Sequence, residues 1–231
     1  MATSLSQTTL DELADLERDF EEVEKKITRQ HYCLSKPLYA RLADLTARIP
    51  NIWGRMLKQA LIDLDEYIQT SDLELLSHSL KSLSVTRFEI DADEKKGDPR
   101  SVAIRFEFAN NKYFKDTVLE KRFWWRQNKY GFAGLVSEPV EIEWKKGKDL
   151  TDGRLGLTKA AFDEQQAKPD QELTGKRRAL EEKIDETDIR DVSFFDWFGY
   201  IGEYISAEES RTVIDKEKEE RRRRKVSRAQ P

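Results

Sequence analysis

With 231 residues, the chain has room for one globular domain of modest core plus extra elements, and not for several large domains. Apolar residues make up 38% and charged residues 37%, which argues against a compact, mostly buried enzyme and for long solvated helices around a small core. The net charge of -4 conceals separate acidic and basic runs, and the single cysteine, Cys33, excludes an intramolecular disulfide framework.

No window approaches the roughly 18 apolar residues of a membrane span. The opening stretch MATSLSQTTLDELADLE has neither the basic start nor the apolar core of a signal peptide. A soluble intracellular protein is expected.

In chain order, the first element is a helix. Leu13, Leu16, Phe20, Val23, Ile27, His31, Leu34, Leu38, Leu42, Leu45 and Ile49 follow one another at steps of three and four, a single helical stripe. Thr8 or Thr9 is the expected N-cap, with Asp11 and Glu12 in the positive first turn, and Pro50 marks the end. Forty residues rising 1.5 Å each would span about 60 Å, more than the diameter of a small domain. The flanking faces carry Glu17, Arg18, Asp19, Glu21, Glu22, Glu24, Lys25 and Lys26, so the stripe needs a covering helix, and a second copy of the chain is the simplest one. Residues 8–49 therefore read as a dimerisation helix whose interface is Leu13, Leu16, Phe20, Val23, Ile27, Leu34, Leu38, Leu42 and Leu45. The competing reading folds this helix back on its own domain. Pro37 predicts a kink that divides the stripe into two straight segments.

Residues 50–209 read as an α+β domain. A helical pattern over 51–69 leads to a short helix or loop over 72–83, and strand patterns follow at 85–91, 101–109, 118–125 and 140–145. The polar connections 91–100 and 145–153 carry turn chemistry, which predicts a four-stranded antiparallel sheet with covering helices. Residues 158–183 are polar without a sustained apolar face, and no core role is expected for them. Phe194, Phe195, Trp197, Phe198, Tyr200, Ile201, Tyr204 and Ile205 are expected to dock on the sheet. Residues 210–231 read as a charged tail ending in a basic run.

Catalytic chemistry leaves no trace. The only histidines, His31 and His78, have no metal-ligand neighbours in sequence, and no Gly-rich phosphate loop, nucleophile elbow or HExxH pattern occurs. Cys33 beside His31 reads as structural. We expect no enzyme activity, no metal and no cofactor.

Charge is more informative. Between 181 and 209 ten acids, Glu181, Glu182, Asp185, Glu186, Asp188, Asp191, Asp196, Glu203, Glu208 and Glu209, stand against two bases, Lys183 and Arg190. They are interleaved with the large aromatics, so an ordered acidic face is expected, able to attract a strongly basic partner such as a histone in a salt-sensitive way. A plain solvated helix surface is the alternative. The block Arg221, Arg222, Arg223, Arg224 and Lys225 fits a nuclear localisation signal, a nucleic-acid contact, or the exposed face of a terminal helix.

Five segments together resemble the nucleosome assembly protein family, nearer its SET branch. They are KPLYARLADL (36–45), IPNIW (49–53), YFKDTVLEKRF (113–123), EIEWKKGKDLT (141–151) and SFFDWF (193–198), in the family's order and spacing. The resemblance implies a headphone-shaped homodimer with paired long helices. Each α+β "earmuff" would offer an acidic concave surface to histones, with Asp185, Glu186, Asp188, Asp191, Asp196, Glu203, Glu208 and Glu209 as the acids. It further implies an ATP-independent nuclear histone chaperone that shuttles with the cytoplasm and takes H3–H4 first and H2A–H2B second, with a fungal histone H3 acetyltransferase as a partner. Family members often end in an acidic tail, whereas this chain ends on a basic block, which puts tail-mediated capture of histones in doubt. Two other readings stand beside the chaperone. One is a dimeric scaffold or cofactor of a chromatin enzyme with incidental histone contact, and the other is a nucleic-acid binder acting through Arg221–Lys225, although no sequence-specific nucleic-acid contact is expected.

Overall fold

One helix, α1 (Gln7–Thr46), takes up forty residues. The computed structural model describes residues 7–56, 59, 68–167, 175–188 and 191–229. Because α1 is already helical at Gln7, Thr8 and Thr9 lie inside it and neither is the N-cap. Asp11 and Glu12 consequently fall beyond the first turn, where the end of the helix dipole is weak. Pro37 lies inside the helix, which continues to Thr46. Proline deprives the carbonyl four residues earlier of its donor, here that of Cys33, and Cys33 is exposed, so water can satisfy that oxygen.

After Pro50, Asn51 adopts the left-handed conformation (φ 52°) and residues 52–56 form a helical turn. The rest of the helix expected over 51–69 lies largely outside the described residues. A Cβ on Gly54 would sit 2.4 Å from the Ser77 carbonyl oxygen, so this turn packs against α2 (Thr70–Ser79) only because the residue is glycine. The segment 72–83 is thus half helix and half strand.

The sheet is an antiparallel meander in the order β1 (Leu80–Thr86), β2 (Val102–Phe108), β3 (Val118–Gln127) and β4 (Ala133–Ser137). Its strand number matches the expectation, but two members do not. The first strand begins at Leu80 rather than 85 and pairs from Leu80↔Phe108 to Thr86↔Ala103. Most of the stretch expected as a strand instead forms the short helix α3 (Phe88–Ala92). There Glu89 accepts bonds from the Asp98 N–H and the Ser101 hydroxyl, pinning the following loop beneath it. The fourth strand is not 140–145. That segment is extended and buries Ile142, but it meets Phe114 through a single bridge at Trp144. Its alternation reflects packing beside the 3-10 turn, where the Val140 N–H donates to the Phe198 carbonyl (2.9 Å). The true β4 follows a tight turn in which Asn128 accepts from the Tyr130 and Phe132 N–H groups (2.9 and 3.0 Å) and Gly131 takes φ 95°.

The core gathers Leu75, Leu76 and Leu80 with Phe106, Phe108, Phe114 and Leu119 of the sheet region, and it is closed by Phe195 and Phe198 of the 3-10 turn Phe194–Gly199. Phe194, Phe195, Trp197, Phe198 and Ile205 therefore dock as the composition predicts, whereas Tyr200 and Tyr204 stay 50% and 41% exposed. Helix α4 (Arg154–Ala167) overlaps the stretch for which no core role was expected, yet it buries Ala161 and Phe162, and Phe162 meets Tyr204 edge-on at 6.2 Å. Only three apolar residues of this helix are buried, Leu155, Ala161 and Phe162, too few for a periodicity to recognise. Helix α5 (Gly175–Asp185) buries none of its residues. From Ala207 the chain is not a tail but the helix α6 (Ala207–Ala229), which packs on β3.

Candidate functional site

Helix α1 meets its own domain with a polar face. The Tyr32 hydroxyl donates to Asp91 (2.8 Å), Lys36 pairs with the same carboxylate (2.6 Å), and Arg29 donates to the Gly97 carbonyl (2.6 Å) and to that of Glu94. Gly97 is required here, since a Cβ would lie 2.0 Å from the Glu89 carbonyl oxygen. Nearer the N-terminal end, buried Asp15 lies 3.8 Å from Arg221 and 3.7 Å from Arg224 of α6, and Arg221 also pairs with Asp19.

The apolar stripe points the other way. Leu13, Leu16, Phe20, Val23, Ile27, Leu34, Leu38, Leu42 and Leu45 are all exposed, Phe20 to 65% and Leu34 to 67%. An intrachain docking face built from hydroxyls and charges, opposite an uncovered row of large apolar side chains, inverts the usual helix arrangement. The helix does fold back on its own domain, but with the wrong face to bury its stripe.

The acids fall on separate elements. Asp185 ends α5, Glu186 and Asp188 follow in the next turn, and Asp191 stands just before the 3-10 turn; all four are exposed. The Asp191 N–H donates to the Asp188 carbonyl (2.8 Å), and the Asp191 carbonyl accepts from Arg154 (3.0 Å). Glu203 is exposed in the loop before α6, and Glu208 and Glu209 sit in the first turn of α6, where Ser206 caps the Glu209 N–H (3.0 Å). Glu181 and Glu182 are exposed on α5, Glu181 paired with Arg177 at 3.4 Å.

Asp196 does not belong to that surface. Its side chain is 16% exposed, pairs with Arg154 at 2.8 Å and accepts from the Ser193 N–H (2.9 Å). Burial pushes its carboxyl up, while Arg154 pulls it back. The Ser193 hydroxyl donates to Asp72 (2.7 Å), a fully buried acid that also accepts from the Phe194 and Gln69 N–H groups (2.7 and 3.1 Å). Ser193 and Asp196 thus cap the SFFDWF turn, and the sequence reading of Asp196 as a partner-facing acid is overturned by its burial.

The basic block is split by its helix. Arg221 and Arg224 turn toward α1, whereas Arg222 and Arg223 are exposed, with Arg223 paired to Glu219 at 3.5 Å. The block lies on a terminal helix. The Lys225 side chain lies outside the described residues.

Lys121 escaped the sequence reading. It alternates with Leu119 and Phe123 on the inward side of β3, is fully buried, and donates to the carbonyls of Glu138, Phe198 and Tyr200 at 2.6, 2.8 and 2.6 Å. A cation at a core-facing position of a period-two strand was the available signal. Its role is to tie β3 to the loop and the 3-10 turn that close the core. Among the described residues, no group of His, Cys, Asp and Glu is arranged to hold a metal ion, and no helix is long and apolar enough to cross a membrane.

The sequence model described as Nucleosome assembly protein (NAP) matches residues 43–229. The chain belongs to the nucleosome assembly protein family. A putative nucleosome assembly protein of Schizosaccharomyces pombe is 32% identical over 148 residues, covering 60% of this chain and 58% of that protein. The Drosophila melanogaster protein SET is 30% identical over 180 residues, covering 75% of this chain and 54% of that protein. The chain spans a little over half the length of these curated relatives. Among solved structures, that of a Ccp1 mutant superposes with a TM-score of 0.56 at 26% identity, covering 85% of this chain and 81% of that one. Most of α1 precedes the matched region of the NAP family, which takes in the sheet, the 3-10 turn and α6.

Proposed function

We propose that this NAP-family chain is a homodimeric histone chaperone without a reaction of its own, binding H3–H4 by preference and H2A–H2B secondarily. It would act in the nucleus and shuttle with the cytoplasm. The observation that carries the reading is the exposed set of acids Asp185, Glu186, Asp188 and Asp191 between α5 and the 3-10 turn, with the Asp191 carbonyl held by Arg154. Glu203, Glu208 and Glu209 would extend it. The uncovered α1 stripe supports pairing of two copies, because an exposed apolar row of this length marks an interaction surface.

The test is H3–H4 binding by the purified chain over a salt series. Reversal to lysine at Asp185, Glu186, Asp188 and Asp191 should weaken binding at least tenfold and flatten its salt dependence. Undiminished binding by that variant would sink the assignment of the acids. Presentation of histone to an H3 acetyltransferase belongs to the same proposal. Should the reversed variant still bind and stimulate such an enzyme while wild type ignores histones, the scaffold reading replaces the chaperone.

A further inference from the structure

A second feature of the molecule lies away from the acidic turn and plays no part in that reading. Between α1, β3 and α6 opens a cleft of about 860 Å³, within the size range of small-ligand sites, roughly 300–1,000 Å³. Ten of the described side chains that line it are basic and six acidic. Several of the acids are already committed: Asp98 to Arg100 (2.7 Å), Glu22 to Lys25 (2.7 Å), Glu89 to the 98–101 loop, and Glu217 to Gln127 (2.9 Å). Among the described residues, Arg18, Lys95, Lys96 and Arg211 have no carboxylate partner; Glu21, Glu89 and Glu217 keep their charge, and ten bases against six acids leave the lining net positive.

One detail of the wall points the same way. Arg126, which donates to the Ile205 carbonyl (2.5 Å), is held below its ordinary value by burial; the carboxylates of Glu138 and Glu89 oppose that shift, and the like charge of Arg211 adds a smaller push downward. The indole of Trp125, stacked 4.2 Å beneath the Arg100 guanidinium, has a buried N–H without an acceptor in the chain. Facing cations repel, and a guest that brings anionic oxygens relieves that repulsion. Guanidinium forks match phosphate oxygens two at a time.

We propose that the cleft between α1, β3 and α6 binds a compact polyanion bearing several phosphate groups. Its three walls come from the long helix, the sheet and the terminal helix, so the guest would bridge α1 to α6 beside the Asp15–Arg221 contact.

The experiment is calorimetric titration of the full chain with inositol hexakisphosphate and, separately, with tripolyphosphate. One site per chain is expected, with affinity falling as salt rises and with a change in tryptophan fluorescence. Arg18→Gln combined with Arg211→Gln should weaken binding at least tenfold, and Lys95→Gln combined with Lys96→Gln severalfold. Lys148→Gln, an exposed position outside the cleft, should leave binding within twofold. Absence of binding, or an equal loss with Lys148→Gln, overturns the proposal. So does preferential binding of single-stranded DNA that survives the cleft substitutions. If the first double variant does not fold, an unchanged affinity in the Lys95→Gln, Lys96→Gln variant overturns it as well.

Discussion

Replacing Leu34 and Leu38 together by glutamate should dissociate the proposed dimer without unfolding the protomer. These side chains are 67% and 59% exposed in the single chain, so a covering partner would remove more than half of each from water. Full burial of a leucine contributes about 1.5–3 kcal/mol, and partial burial here about 1–2 kcal/mol. The double substitution occurs in both copies and deletes four such contributions, roughly 4–8 kcal/mol, before the cost of dehydrating carboxylates is added. That corresponds to a dimer weakened about a thousandfold or more. Sedimentation equilibrium over a wide dilution range would measure it, with circular dichroism confirming that helix content is retained, since these residues lie opposite the Tyr32–Asp91 face that docks on the domain. A wild-type chain that stays monomeric at every concentration, or a variant that dimerises as tightly, refutes the reasoning.

Lys121→Met should destabilise the fold by about 3–5 kcal/mol, because three buried carbonyls lose a charged donor at once, and urea unfolding would show it. Burial pushes the Lys121 ammonium from its ordinary 10.5 down to about 7. Between those values the unfolded chain holds more protons than the folded one, so wild-type stability should rise with pH across that window, by up to about 1.4 kcal/mol per unit, and this component should be missing from Lys121→Met. Asp196→Asn should cost about 2–4 kcal/mol by breaking the pair with Arg154, whereas Asp188→Asn, on the exposed turn, should change stability by less than about 0.5 kcal/mol; thermal melts of the two variants separate a structural acid from a surface one. Arg221→Ala should release the second half of α6 from α1, seen as faster amide exchange from 215 onward with the sheet unaffected.

Much of this architecture follows from local rules. Steps of three and four between Leu13 and Leu45 dictate one long helix with one apolar stripe, whatever surrounds it, although the pattern continues to Ile49, past the end of the helix at Thr46. Strict alternation over Val102–Phe108 dictates a half-buried strand, and the density of aromatics around Trp197 dictates burial. The five motifs lead to the nucleosome assembly protein family because their order and spacing are specific even though each is short.

Other features depend on groups far apart in the chain. Whether 85–91 or 80–86 is the first strand depends on which segment finds Phe108 through Ala103 as its partner, and Glu89 draws the later segment into a helix by capturing the 98–101 loop. Whether Asp196 faces solvent depends on Arg154, forty-two positions earlier, and whether Arg221 and Arg224 are free depends on Asp15 at the opposite end of the sequence. Charge and periodicity can be counted residue by residue, and so they were legible at once. Pairing is a property of two distant groups brought within a few ångströms, and only the folded chain decides which acids remain for a partner and which hold the protein together.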